Sequence, residues 1–406
     1  MQPILMPDLR TLAAAPHRLL FFVGASNVLL AMTWWSFWLI NARWQFVDMP
    51  QLDIPAGWLH AFIMQYQVLP SFIFGFLLTV FPRWMGLHAF NKWHYLPVGI
   101  GLLAGQALTL ISLFGYRHLL FLGLLLTFTG WLTGFLFLAM QLWREREPTW
   151  HAVSATVALL LGLFGIGLMF TYLHTNDAQW VFASITFGTF SLLLPIYFTV
   201  CHRMLPFFAG AALPGYTVFR PMWSLALIWL LSMLHLGMEL THAKAWLWLS
   251  NLPLAAVSSW LLWRWWPHAR VMPALLKVLI IGFAWLPIAA LLYSVQSLWQ
   301  LHSDELILGR APAHALYIGF FGSLLVAMVT RVTQGHSGRP LQLGGVAAFA
   351  FIVIQITALV RIGAELTTDL MAWHSAAGLL WLLAFLPWVL RSAWIYLTPR
   401  TDGKDG

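Results

Sequence analysis

The chain has 406 residues, 61% hydrophobic and 8% charged, with 25 Trp, 30 Phe and a formal net charge of +8. This composition excludes a water-soluble globular domain and predicts a polytopic membrane protein. The basic residues sit at the ends of apolar runs, so the positive charge reads as a topology signal and not as a nucleic-acid footprint.

One bilayer crossing needs about 20 apolar residues in a helix. Such runs recur along the chain at 19–40, 58–81, 95–114, 118–140, 151–173, 179–201, 222–241, 245–263, 273–298, 313–333, 341–360 and 370–394. No stretch alternates with the period of a β-barrel strand. The prediction is an all-α protein with a single domain of 12 transmembrane helices over 19–398, an N-terminal segment, 1–18, and a tail, 399–406. The first run is full-length and has no small-residue cleavage site, so it is expected to stay as an anchor. The single Cys201 leaves no internal disulfide, no CxxC and no CxxCH haem-attachment motif.

Of the 21 lysines and arginines, 16 fall on one side: Arg10, Arg18, Arg83, Lys92, Arg144, Arg146, Arg203, Arg220, Arg264, Arg270, Lys277, Arg331, Arg339, Arg391, Arg400 and Lys404. Arg43, Arg117, Lys244, Arg310 and Arg361 fall on the other. The positive-inside rule then places both termini in the cytoplasm. By these boundaries the middle of every run lacks Asp, Glu, Lys and Arg, which weakens an ion-coupled carrier reading.

The chain is instead rich in histidine, with 15. Eight fall toward the outer face (His60, His118, His174, His235, His242, His302, His314 and His374) and seven toward the cytoplasm (His17, His88, His94, His151, His202, His268 and His336). His60, His314 and His374 each open an outside-to-inside helix, with small residues following, so three imidazoles at one depth could meet one flat cofactor. The plainer reading is three interfacial side chains capping helices. Met64 lies four residues after His60, a spacing open to copper or haem ligation as well as to packing. On the seventh run His235, Glu239 and His242 share a helical stripe whose donors suit Cu, Zn or Fe, or which simply forms a polar helix end.

"RVTQGHSGRP", Arg331 to Pro340, is a conspicuously polar turn. Gly335 is expected to terminate a helix, Gly338 to permit a tight backbone and Pro340 to open the next helix. His336 with Arg339 here, and His202 with Arg203 in "TVCHRMLPFF", make two His/Arg corners able to clamp haem propionates or another anion. His314 and His336 lie roughly 33 Å apart along one helix at 1.5 Å per residue, too far to share a metal. His336, Arg339 and Arg203 are accordingly expected to form a polar cluster separate from any iron site.

"HALYIGFFGSLLVAMVTRVTQGHSGRPL" (His314 to Leu341), with "GFLLTVFPRWMG" (Gly75 to Gly86), "RMLPFF" (Arg203 to Phe208) and "YLTPRTDGKDG" (Tyr396 to Gly406), resembles the NnrS family over most of the chain. The resemblance implies a bacterial inner-membrane protein of the nitric oxide response. It also implies b-type haem with or without copper, nitric oxide or another diatomic as ligand, and relief of nitrosative stress by handling nitric oxide or iron-nitrosyl species. Two departures stand out. The family's second-span His-Ala-His-Glu-Met is here His60, Ala61, Phe62, Ile63, Met64, one imidazole and one carboxylate fewer. "CHR" at Cys201 to Arg203 replaces Gly-Gly-Arg. No reaction is assigned. The alternatives are a secondary transporter for a neutral or metal-complexed solute and a scaffold subunit of a respiratory complex. Membrane lipids are expected partners and nucleic acid is not.

Overall fold

A computed structural model describes residues 6–49, 54–145, 147–267, 271–303 and 305–403. Arg146, His268, Arg270 and Lys404, used above in placing charge and histidine, lie outside the described residues, as does the end of the tail motif. Among the described residues there is no strand. Twelve helices are long and apolar enough to cross a membrane: α1 Pro16–Trp44, α2 Ala56–Met85, α3 Lys92–Ser112, α4 Arg117–Arg144, α5 Trp150–Thr175, α6 Ala178–Ala212, α7 Met222–Leu240, α8 Lys244–Trp265, α9 Ala274–Ser303, α10 Ala311–Ser337, α11 Gly345–Ala364 and α12 Leu370–Leu397. Each matches one predicted run. Most extend past it, because a helix continues into the interface where polar residues still satisfy its backbone.

Two compact units make up the chain. The first holds Met1–Leu192, Val332–Pro340 and Phe385–Gly406; the second holds Leu193–Arg331 and Leu341–Ala384. In the first, α3 and α4 approach through glycines. A Cβ on Gly101 would stand 2.7 Å from Gly130 Cα and 2.7 Å from the Leu126 carbonyl oxygen, so only hydrogen fits there. In the second, Gly319 of α10 takes the face of Trp285, whose Nε1 donates to Gln355 Oε1 at 2.7 Å. Outward faces carry residues such as Phe121, Leu359 and Leu390, exposed as acyl-chain contact requires. Trp143, Trp150, Trp246 and Trp263 stand exposed at span ends, in the manner of an interfacial belt.

Three spans are interrupted by π-helical segments: Met64–Val68 in α2, Gly188–Leu193 in α6 and Ala315–Gly322 in α10. These are also the three most buried spans. In α2 the cause joins a proline in the span to a side chain from another. Pro70 has no N–H for the carbonyl four residues back, and that carbonyl, Tyr66 O, accepts instead from Trp131 Nε1 at 2.8 Å. The wider turn is thus held open by a side chain from α4.

The polar turn after α10 corrects two expectations. Gly335 does not end the helix, which runs through Ser337 and turns at Gly338, φ +72°. The last turn persists because the C-terminal segment caps it: Thr401 N and Oγ1 donate to Ser337 O at 3.1 and 3.2 Å. A Cβ on Gly338 would meet Asp402 Cγ at 2.7 Å, a second reason for glycine. Pro340 does not open the next helix either, since α11 starts at Gly345.

Candidate functional site

In the second unit, side chains at the start of α10, the end of α11 and the start of α12 meet around one carboxylate. Glu365 Oε1 accepts from Arg361 Nη1 at 2.6 Å and lies 3.6 Å from His374 Nε2. The Arg310 backbone also hydrogen-bonds the carboxylate, and the Arg310 carbonyl lies 3.0 Å from His314 Nδ1. Because a carbonyl only accepts, Nδ1 carries the proton and the lone pair sits on Nε2. Gly309, φ +46°, makes room where a side chain would strike Glu365. Burial alone would raise the Glu365 carboxyl. The His374 imidazole 3.6 Å away, the Arg361 hydrogen bond and charge, and the Arg310 backbone outweigh it and hold the group down to about 2. The result is a permanent anion that orients His374 directly and His314 through one backbone unit. Carboxylate or carbonyl support behind an imidazole is the usual arrangement behind a metal-ligating histidine.

His60 belongs to the first unit. Its ring stacks on Trp35, with centroids 4.3 Å apart and planes 7° from parallel, and Met64 opens the π segment one turn later. In the second unit His235 is buried, with Nδ1 3.0 Å from Asn251 Nδ2 and 3.2 Å from its Oδ1, and Nε2 3.8 Å from Glu239 Oε1. Its ring meets Tyr293 edge-on at 4.9 Å. His242 does not continue the stripe: α7 ends at Leu240, and His242 stands exposed with φ +57°. Among the described residues no three His, Cys, Asp or Glu side chains gather as a metal-binding group. His202 is a core histidine, its Nε2 donating to the Pro221 carbonyl at 3.1 Å between Phe198 and Trp265. Arg203 follows it half-buried on the same helix.

A different cluster forms in the first unit, at the end carrying both termini. The His17 and His336 rings lie 4.4 Å apart between centroids, and Arg83 Nη1 is 3.4 Å from His336 Nε2. Arg18 Nη1 donates to the Tyr396 and Thr398 carbonyls at 3.1 and 2.8 Å, and Arg400 pairs with Asp402. His17 Nδ1 and Arg339 Nη1 are buried without a hydrogen-bond partner. Burial, and then the Arg391 charge, lowers the Arg339 guanidinium. At 4.4 Å between centroids the two histidine rings stand too close together to hold one metal ion between them. Their guanidinium neighbours oppose a bare cation and suit an anion. In the second unit Arg331 lies over the Phe208 ring, 3.9 Å from its centroid, a cation–π contact and not a solvated charge.

Sequence reading singled out neither His17, Arg83, Glu365 nor Asn251. The available signal was weak: a lone charged residue at a span end looks the same whether it faces water or a neighbouring helix.

A family model described as NnrS protein matches residues 11–400, nearly the whole chain. No curated protein matches it.

Proposed function

The chain belongs to the NnrS family, membrane proteins of the nitric oxide response, and from that premise we propose that it is an inner-membrane haem protein that binds nitric oxide or its iron complexes and relieves nitrosative stress. The observation that carries this reading is the Glu365–Arg310–His314 relay, with His374 on the same carboxylate. His314, with the lone pair on Nε2, is the first choice to hold the iron, and His374 and His60 are the other candidates. A haem supplies an axial position able to bind a small apolar diatomic. The chain's own contribution is to fix the tautomer and orientation of His314. His235 and Glu239, 3.8 Å apart, are the pair best placed for copper. The His17, His336 and Arg83 cluster, with Arg18 beside it and Arg339 acting on Arg18, has the donor chemistry of a carboxylate or other anion receptor.

Optical and EPR spectra of the purified protein, with and without nitric oxide, test the proposal. A Soret band that shifts on nitric oxide addition is expected. Absence of haem absorbance, together with counterflow of a solute in vesicles, would replace it with a secondary carrier. The π-helical interruptions of α2, α6 and α10 favour that second reading, since broken helices are where carriers bind their solutes.

A further inference from the structure

Near the middle of α1, α2, α3 and α4, within the first unit, five polar side chains pack with no contact to solvent: Asn27, Gln67, Gln106, Thr109 and Thr127 are each 0% exposed. Direct hydrogen bonds link them. Asn27 Nδ2 donates to the carbonyls of Gln67 and Leu102 at 3.4 and 3.3 Å, and Gln106 Nε2 donates to the Asn27 carbonyl at 2.7 Å. Gln67 Nε2 donates to the hydroxyls of Thr109 and Thr127, both at 3.0 Å.

The way each amide faces is fixed by chemistry. Thr109 and Thr127 each give their only hydroxyl hydrogen to a carbonyl in their own helix, Gly105 O and Gly123 O, so toward Gln67 they can only accept. The partners of Asn27 and Gln106 are backbone carbonyls, which also only accept. None of the three amides can be flipped without setting oxygen against oxygen. Consequently Asn27 Oδ1, Gln67 Oε1 and Gln106 Oε1 are all left buried without a donor. A buried amide oxygen left unsatisfied is costly, and three linked ones call for an electropositive guest.

Gln67 also lies in the π-helical segment Met64–Val68, and its own carbonyl accepts from Ser71 Oγ at 2.8 Å as well as from Asn27. Such segments gather at functional positions in helices. A water molecule has only two hydrogens to offer, and it brings in lone pairs where nearly every amide and hydroxyl hydrogen is already committed. A cation needs no donor, and satisfies whichever of these oxygens it reaches. With no carboxylate in the group, a divalent ion would lack the charge compensation it normally has, whereas neutral carbonyl-type oxygens are the ordinary substitute for the hydration shell of an alkali ion.

We propose that Asn27, Gln67 and Gln106 form a binding site for an alkali-metal cation inside the α1–α4 bundle. The test compares thermal unfolding of the purified full chain in sodium, potassium and choline chloride at equal ionic strength. A saturable rise in midpoint with sodium or potassium over choline is expected. Gln106→Leu should abolish that rise, and Gln106→Glu, which keeps oxygens and adds charge, should shift half-saturation to lower cation concentration. Equal midpoints in all three salts for the unmodified chain overturn the proposal and leave water as the occupant. An alkali-ion response unchanged in Gln106→Leu overturns the assignment of the site. Because the unmodified chain is itself read against choline, a variant that fails to fold does not blunt the test.

Discussion

His314 Nδ1 stands 3.0 Å from the carbonyl of Arg310, the residue whose backbone also hydrogen-bonds the Glu365 carboxylate. An imidazole at the opening of α10 and a carboxylate just beyond α11 are thereby tied through the N–H and the C=O of one residue, Arg310. Whatever moves Glu365 moves His314.

Glu365→Gln should therefore alter the environment of His314 without touching it. The variant keeps the side chain's shape but removes the charge facing Arg361, itself buried. Loss of a hydrogen bond to a charged group costs about 1.5–3 kcal/mol, so a clear fall in thermal midpoint is expected. If haem is bound at His314, the same variant should shift its EPR signal. Arg361→Lys, which retains charge and loses the planar fork, should give a smaller fall. Equal midpoints for Glu365→Gln and the unmodified chain would show that the pair does not stabilise the fold.

The same carboxylate makes stability depend on pH in acid. Its folded-state value is lowered from 4.5 to about 2, so the folded protein holds fewer protons than the unfolded chain between those values. The stabilisation is complete above about pH 5 and is lost as pH falls from 4.5 toward 2, by an amount on the order of 3 kcal/mol. Midpoints of the unmodified chain should drop more steeply over that interval than those of Glu365→Gln. Parallel slopes would remove Glu365 as the cause.

The anion receptor can be separated from any iron ligand. Arg83→Ala removes a charged donor from the His17–His336 neighbourhood, where the rings stand 4.4 Å apart, and Arg339→Ala removes one whose charge acts on the adjacent Arg18. Each should weaken retention of a carboxylate-bearing cofactor by about tenfold, the equivalent of 1.4 kcal/mol, while leaving axial spectroscopic features in place. Complete loss of the Soret band in Arg339→Ala, with normal folding, would move the iron to this cluster.

The spans were legible from the sequence because the bilayer imposes one length and one polarity on every crossing, and each of the twelve apolar runs became a helix. The π segments were not, since Pro70 shows only that a hydrogen bond is missing, and Trp131, from another span, supplies its replacement. His314 and His374 could be read as a pair at one depth, but the residue that orients them, Glu365, looked like an ordinary loop acid. The stripe of His235, Glu239 and His242 failed at its last member for a local reason: α7 stops at Leu240, and a helical spacing beyond a helix end carries no information. Gly335 misled because glycine ends helices only where nothing else holds the turn, and here Thr401 does.

Orientation gives a further expectation. An even number of spans is expected to leave both termini on one side, and by the positive-inside rule the charge split of 16 to 5 predicts that this side is the cytoplasm. Reporter fusions in the loop between α1 and α2 and after residue 406 should read periplasmic and cytoplasmic respectively. A periplasmic signal at residue 406 contradicts the assignment.

The histidines should divide by what their second nitrogen already does. His202 donates its Nε2 hydrogen to the Pro221 carbonyl and lies between aromatic rings, so His202→Ala should lower stability by a few kcal/mol at most and leave any haem spectrum unchanged. His314 is the converse: its Nδ1 proton is fixed by Arg310, leaving the nucleophilic lone pair on Nε2, where an iron would be bound. His314→Ala should therefore remove the axial signature or the haem itself, with His314→Gln restoring folding but not the spectrum. His374→Ala should alter the spectrum through Glu365, and His60→Ala, which breaks the stack on Trp35, gives the third comparison. Haem content and nitric oxide-bound spectra of the five variants, measured side by side, decide among them. Wild-type spectra in His60→Ala, His314→Ala and His374→Ala together would leave these three as interfacial side chains and direct the search to His235, whose Asn251 partner holds it in the same kind of fixed orientation.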